Sequence, residues 1–417
     1  MIPLQRLREQ ADAIREGARQ KGETAPIDEI LELDAQARAL RTAVETARAE
    51  QKRASGEFRG QPTDEQRAAL SVLKAAIQDD ESRLTELEAR VQELLLSVPN
   101  PPHESVPYGE GSADNVTLRT WGEKPSFTFT PRTHYDLGEE LGIFDFERAV
   151  KVSGSRFAVV QGVGSRLQRA MVALMLDMAT LEHGYTEISP PYLVRREAMV
   201  GTANLPDKEG MAYETNDDLF LIPTAEVPVT NLYRDEILDG AQLPIAHAAY
   251  SPCFRREAGA AGKDTRGYVR MHQFEKVEMV RFVEPSTSLA ELDLLVSHAE
   301  AVLQRLGLHY RVLLMCTGDM GFAQWKKFDI EVWCPGLDTW LEVSSCSVFG
   351  DFQSRRIGVR FRPTPGEKPQ FVHTINGSGL AVPRTFDAVL ETYQNADGTV
   401  TVPEALRPYM GGVERLS

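Results

Sequence analysis

Residues 27 to 98 carry apolar side chains at intervals that alternate between three and four. Ile30, Leu33, Ala37, Leu40, Val44 and Ala47 lead on through Gln51 to Ala54. Leu70, Leu73, Ile77, Leu84, Leu87, Val91, Leu94 and Val98 repeat the spacing, with Asp80 as the one chemical interruption. A heptad seam in water must meet a partner. Between the seams lies "ASGEFRGQPTDEQ", where Gly56, Gly60 and Pro62 end one helix and Thr63 with Gln66 can form a capping box for the next. The expectation is an antiparallel helical hairpin, each leg roughly 40–50 Å long at 1.5 Å per residue. A globular core does not need that length, so the hairpin should project as an arm.

The chain has 417 residues, enough for two or three domains and a large core. Its 46 Lys and Arg against 61 Asp and Glu give a net charge of −15, so any nucleic-acid partner needs a locally basic surface. Residues 35 to 75 offer one: Arg38, Arg41, Arg48, Lys52, Arg53, Arg59, Arg67 and Lys74 against five acidic residues. Two readings of that stretch stand side by side, a solvated coiled coil and a lever that meets phosphates. Cys253, Cys316, Cys334 and Cys346 are widely spaced with no C-x-x-C pair, which suggests thiols in a reducing compartment. The first residues have no apolar signal core and no run reaches membrane-spanning length, so the expectation is a cytoplasmic protein away from membranes.

"SVPNPPHESVP" ends the second helix, because Pro99, Pro101 and Pro102 cannot continue it. Residues 1–102 therefore read as a helical arm and 103–417 as a separate domain. "GSRLQRAMVALMLDMATLEHG" is a helix stopped by Gly184. Strand-like alternation then runs from "YVRMHQFEKVEMVRF" to "FVHTIN". Strands next to strands, with helices grouped elsewhere, imply an α+β fold built on an antiparallel sheet.

Several short stretches carry chemistry. If "SPCFRRE" is a strand, Arg255 and Glu257 point one way and Arg256 the other. A guanidinium grips a phosphate or carboxylate in a fork, and a carboxylate accepts from an exocyclic amine. On the same logic Arg270, His272, Phe274, Lys276 and Glu278 share one face. "LIPTAEVP" places Thr224 and Glu226 two apart, on one face if extended. "TINGSGLAVPRTF" reads as a strand, a glycine-rich turn and a helix bearing Arg384. That face suits a nucleotide and a small zwitterion; a salt-bridged surface hairpin explains the charges equally well.

In combination these stretches resemble the bacterial-type seryl-tRNA synthetases of class II, from end to end of the chain. "GYTEISPPYLV", "FRREAGAAGKDTRGYVRMHQFEKVE" and "NGSGLAVPR" resemble that group's motifs 1, 2 and 3. "TAE" and "EVSSCS" resemble its serine- and ATP-contacting segments, and the hairpin its tRNA-binding arm. The resemblance implies a class II antiparallel sheet flanked by helices. It implies an ATP-dependent ligase that makes seryl-adenylate and then charges tRNA(Ser), with tRNA(Sec) left open as a second substrate.

It also implies roles. Thr224, Ala225 and Glu226 would line the serine pocket, with Glu226 on the ammonium and Glu278 and Ser378 facing the side chain. Arg255 would grip the serine carboxylate and the α-phosphate. Arg256, Glu257, Met271 and Phe274 would contact the nucleotide, Glu257 at the adenine amine and Phe274 under the ring. Arg384 would lie above it and reach the γ-phosphate. Glu342 and Ser345 would hold Mg²⁺ on the phosphates, with Val343 and Ser344 beside them. Lys263 and Arg266 would meet the tRNA acceptor end, and motif 1 would form a homodimer interface. Pro383 before Arg384 and Val348 after "SSCS" depart from the group's usual residues. Two rivals remain on the residues alone, an amino-acid activator that loads a carrier protein and a decayed, non-catalytic binder.

Overall fold

A computed structural model describes residues 1–56, 63–257 and 267–417. The chain divides into two compact units, Met1–Pro99 and Asn100–Ser417.

In the first unit the long helices α1 (Ile27–Gly56) and α2 (Asp64–Leu95) form the hairpin. Every seam position from Ile30 to Ala54 and from Leu70 to Val98 is buried or half-buried, and the positions between them are mostly exposed. The capping box is present: Gln66 N donates to Thr63 Oγ1 at 3.3 Å and Thr63 N to Gln66 Oε1 at 2.9 Å. Arg48–Glu81 at 2.6 Å and Arg90–Glu29 at 3.2 Å tie the legs together across the seam.

The second unit is an α+β domain. Its main sheet runs through strands β1 (Val116–Trp121), β2 (Thr186–Glu187), β3 (Ile245–Phe254), β4 (Gln273–Val283), β5 (Tyr310–Leu314), β6 (Lys326–Cys334), β7 (Thr339–Gly350) and β8 (His373–Ala381). The spatial order is β1-β5-β6-β7-β8-β4-β3-β2, antiparallel throughout except for the β2–β3 edge. Around it lie helices α3 (Gly162–Asp177), α4 (Glu226–Thr230), α5 (Ser288–Arg305), α6 (Phe352–Ile357) and α7 (Val382–Thr392). Gly184, at φ +72°, follows α3 after a single π turn, as its position in the sequence suggests.

The sequence reading and the structure part company at "NGSGLA". There is no turn there: Asn376 to Ala381 continue β8. Gly377 serves packing. A Cβ on it would lie 2.8 Å from Cys346 Sγ and closer still to Leu295 Cδ2 of α5. Its neighbours Asn376 and Ser378 point to the opposite face, which is left for the cavity described below. Gly379 is the extra residue of a β-bulge, because Val277 pairs Leu380 while Glu278 pairs Ser378. Val348, the departure after "SSCS", is fully buried opposite Ile375 in the main core. Pro383 sits in the first turn of α7, where proline costs no helical hydrogen bond.

Candidate active site

A cavity of about 470 Å³, the size of a small-molecule site, lies against the sheet. Strands β4, β7 and β8, the start of α7 and the segment before α4 all supply its walls.

Two carboxylates interact within this cavity. Lys276 and Glu278 project from β4 and form an ion pair, and Asn376 Nδ2 of the neighbouring strand donates to Glu278 Oε1 at 3.0 Å. The other carboxylate is Glu226, which is not on a strand. The chain turns at Thr224 and Ala225 and enters α4, with Thr224 Oγ1 accepting from Glu226 N at 3.2 Å. Thr224 and Glu226 line the cavity all the same. The methyl of Ala225, between them, is fully buried with Val229 and Val280 in a separate core. Burial, reinforced by the charge of Glu278, pushes the Glu226 carboxyl up to about 7. The two carboxylates create a site that favours a cation.

Beyond Phe254 the regular strand ends, yet the expected facing holds: Arg255 and Glu257 line the cavity and Arg256 does not. Strand β3 ends at Phe254: Arg255 N still donates across the ladder to the His272 carbonyl at 2.9 Å, but Arg256 N turns away to the Met211 carbonyl at 3.0 Å. Arg255 still reaches the cavity. Its Nε donates to the Pro223 carbonyl at 3.3 Å and its guanidinium lies 5.0 Å from the Phe274 ring centroid. Glu257 reaches it through a left-handed backbone turn, φ +47°, and accepts from Arg270 Nη1 at 2.7 Å. Arg256 is exposed and forms no part of the cavity wall. His272 leaves the face shared by Phe274, Lys276 and Glu278. Its Nδ1 lies 3.0 Å from the Arg255 carbonyl oxygen and its ring packs near Phe157. Met271 is almost fully buried in the cavity floor. Lys263 and Arg266 lie outside the described residues.

Glu342 and Ser345 are three apart and would take opposite faces of a regular strand. A bulge in β7 changes this, because Glu331 pairs Glu342 while Ile330 pairs Ser344. Val343 is the extra residue, and Glu342 and Ser345 both line the cavity. Ser344 Oγ is tied to the Ser378 carbonyl at 2.6 Å. The recessed setting would raise the Glu342 carboxyl, but Lys327, Arg384, Arg255 and Lys276 together hold it below its ordinary value. Arg384 spans from Glu342 to the opposite wall, its Nη1 donating to the Glu342 carbonyl at 2.8 Å and its Nε to the Val269 carbonyl at 3.2 Å. Among the described residues no cluster of three metal-ligating side chains occurs. The Glu342–Ser345 oxygens fit a divalent cation that brings most of its ligands with it, as one carried by a triphosphate does.

Sequence reasoning missed Lys327, Lys276 and Asn376 as site residues. Lys327 pairs with Asp329 at 2.9 Å and lines the cavity beside Glu342. Lys276 had a signal, its alternation with Phe274 and Glu278. Lys327 had none, because its approach depends on the β6–β7 pairing.

Comparison with known proteins gives a consistent picture. A family model described as seryl-tRNA synthetase N-terminal domain matches residues 1–102, and one for the tRNA synthetase class II core domain (G, H, P, S and T) matches residues 210–393. The serine–tRNA ligase of Thermomicrobium roseum is 52% identical over 421 residues, covering 100% of this chain and 95% of the relative. That of Carboxydothermus hydrogenoformans is 50% identical over 422 residues, covering 100% and 99%. The crystal structure of seryl-tRNA synthetase from Pyrococcus horikoshii complexed with ATP superposes with a TM-score of 0.95 at 37% identity, covering 100% of this chain and 99% of that one.

Proposed function

This chain belongs to the seryl-tRNA synthetase family, and we propose that its cavity divides the work of serine ligation between its carboxylates and its guanidinium groups. The enzyme joins serine to tRNA in an ATP-dependent reaction on a class II core. One observation carries the assignment of residues. Glu226, Glu278, Arg255, Phe274, Arg384 and Glu342 all line a single cavity.

Glu226 takes the serine ammonium, and Glu278 with Ser378 faces the hydroxyl. Thr224 closes the pocket beside them. Phe274 stacks under adenine, Glu257 accepts from its amine, and Met271 runs along the nucleotide. Arg384 covers the ring and reaches the γ-phosphate. Glu342 and Ser345, flanked by Val343 and Ser344, would hold Mg²⁺ on the triphosphate, where the cation would offset phosphate charge.

Serine's carboxylate is ionised at neutral pH and needs no general base. Its oxygen attacks the α-phosphorus, the bond to the bridging oxygen breaks, and pyrophosphate leaves. The protein contributes alignment and cations placed where negative charge grows, chiefly Arg255 and Arg384. The terminal ribose hydroxyl of tRNA then attacks the seryl carbonyl and AMP departs. A pocket built for a hydroxyl strands its polar groups when alanine enters.

Residues 1–102 act as the arm for tRNA(Ser), and residues 103–417 as the aminoacylation domain. A homodimer formed through motif 1 completes the reading. ATP–pyrophosphate exchange across serine, threonine, alanine and glycine tests the site. Exchange supported by serine alone is the expected result, and equal exchange with alanine would remove the pocket assignment. Transfer of serine to tRNA rather than to a carrier protein separates the ligase from its nearest rival.

A further inference from the structure

Gln353 lies on α6, is 1% exposed, and is not part of the cavity wall. All its polar atoms are engaged. Nε2 donates to Glu226 Oε1 at 2.7 Å and to the Thr202 carbonyl at 3.4 Å. Oε1 accepts from Thr374 Oγ1 at 2.7 Å. Thr374 is itself 1% exposed on β8. An amide has one acceptor and one pair of donors, so its orientation follows from its partners. Flipping it would turn Oε1 toward the Glu226 carboxylate and the Thr202 carbonyl, acceptor against acceptor, which no buried polar network tolerates cheaply. One side chain therefore links three cavity-building segments: the strand at Thr374, the loop at Thr202 and the first residue of α4.

We propose that Thr374 and Gln353 form a positioning relay for the serine-binding carboxylate, setting which oxygen of Glu226 is presented to the substrate ammonium. This rests on the assignment of Glu226 to that ammonium. With Oε1 held by an immobile donor, Oε2 is aimed at the cavity. The donor also favours the charged carboxylate against burial and the nearby Glu278, the same direction as Lys276 and Lys208. Those three side chains and Gln353 are the groups that face Glu226 from β4, from the 202–211 loop and from α6.

Gln353→Met keeps the volume and removes the donor. In serine-dependent ATP–pyrophosphate exchange its KM for serine should rise roughly tenfold, the loss expected for a hydrogen bond to a charged group, with KM for ATP unchanged. The acid limb of kcat/KM for serine should move to higher pH. Thr374→Val should shift both readouts the same way but less, and Thr374→Ser should restore them. If Gln353→Met does not fold, the Thr374 pair decides alone. Equal rises in both KM values with an unmoved acid limb would mean ordinary packing and overturn the relay. So would an unchanged serine KM alongside a raised one in Glu226→Gln. If Glu226→Gln itself leaves the serine KM unchanged, the ammonium assignment falls first and the relay with it.

Discussion

Arg48 and Glu81 meet across the hairpin at 2.6 Å with side chains 64% and 36% exposed, whereas Lys276 and Glu278 pair in the cavity with side chains 8% and 1% exposed. The chemistry of the two pairs is the same and the consequences differ. Water screens the first and already solvates each partner, so the pair is worth at most about 1 kcal/mol. The second has displaced water on both sides. Removing one partner there leaves an uncompensated charge, a loss of roughly 3–5 kcal/mol. The arm can carry many charges at little energetic consequence and present them to a phosphate backbone. The cavity must balance each charge against a named neighbour, and that constraint lets it hold a few groups rigidly.

The contrast is tested most severely where the energy at stake is greatest. Lys276→Met should lower unfolding free energy by roughly 3–5 kcal/mol in urea titration; a loss below that of a surface pair would erase the distinction. Arg255→Gln should cut serine-dependent exchange about 10²–10³-fold, the scale of a lost transition-state donor, with little change in melting temperature. Full activity in that variant would remove Arg255 from the site. Val44→Asp puts a carboxylate into a seam position that is 4% exposed. It should cost roughly 2–3 kcal/mol, reduce helical circular dichroism and impair transfer to tRNA, yet leave exchange intact. Loss of exchange in that variant would mean that the two regions are not separable.

A smaller effect concerns pH. The folded Glu226 carboxyl sits at about 7, above its ordinary value, so its charged form predominates only above that point. Serine's ammonium needs the charged form. The KM for serine should therefore fall as pH rises through about 7, and rise up to roughly tenfold for each unit below it. A flat profile from pH 6 to 8 would place the ammonium elsewhere. The smallest effect is Arg48→Gln, about 0.5 kcal/mol or less, seen as a shift of the arm's thermal transition that shrinks further in salt.

The same contrast explains what could be read without coordinates. The heptad seam and the capping box were legible because both are local signals; Gly60 and Pro62 of the expected break lie outside the described residues. In the catalytic domain the identity of the groups was legible and their placement only in part. The facing expected for Arg255, Arg256 and Glu257 holds, but not through a regular strand: the Arg256 amide turns to Met211, a partner set by a loop far along the chain, and Glu257 takes a left-handed turn. The turn expected at Gly377 is an uninterrupted strand, since the need for glycine comes from Leu295 on a distant helix. Ala225, flanked by two cavity residues, faces a core because α4 begins one residue later. Gln353 carried no signal at all, because its role depends on Thr202, Glu226 and Thr374 meeting at one point.

Sequence by itself determined the arm, the α+β class and the set of ionisable groups available for chemistry. Periodicity and residue type act over one or two turns of backbone, within reach of a linear reading. Only the tertiary structure decided which of those groups face one another. Two β-bulges, at Val343 and Gly379, set the faces and registers around Glu342, Ser345, Glu278 and Ser378. A bulge is a property of a strand pair, fixed when distant segments align, so it exists only once the sheet has formed.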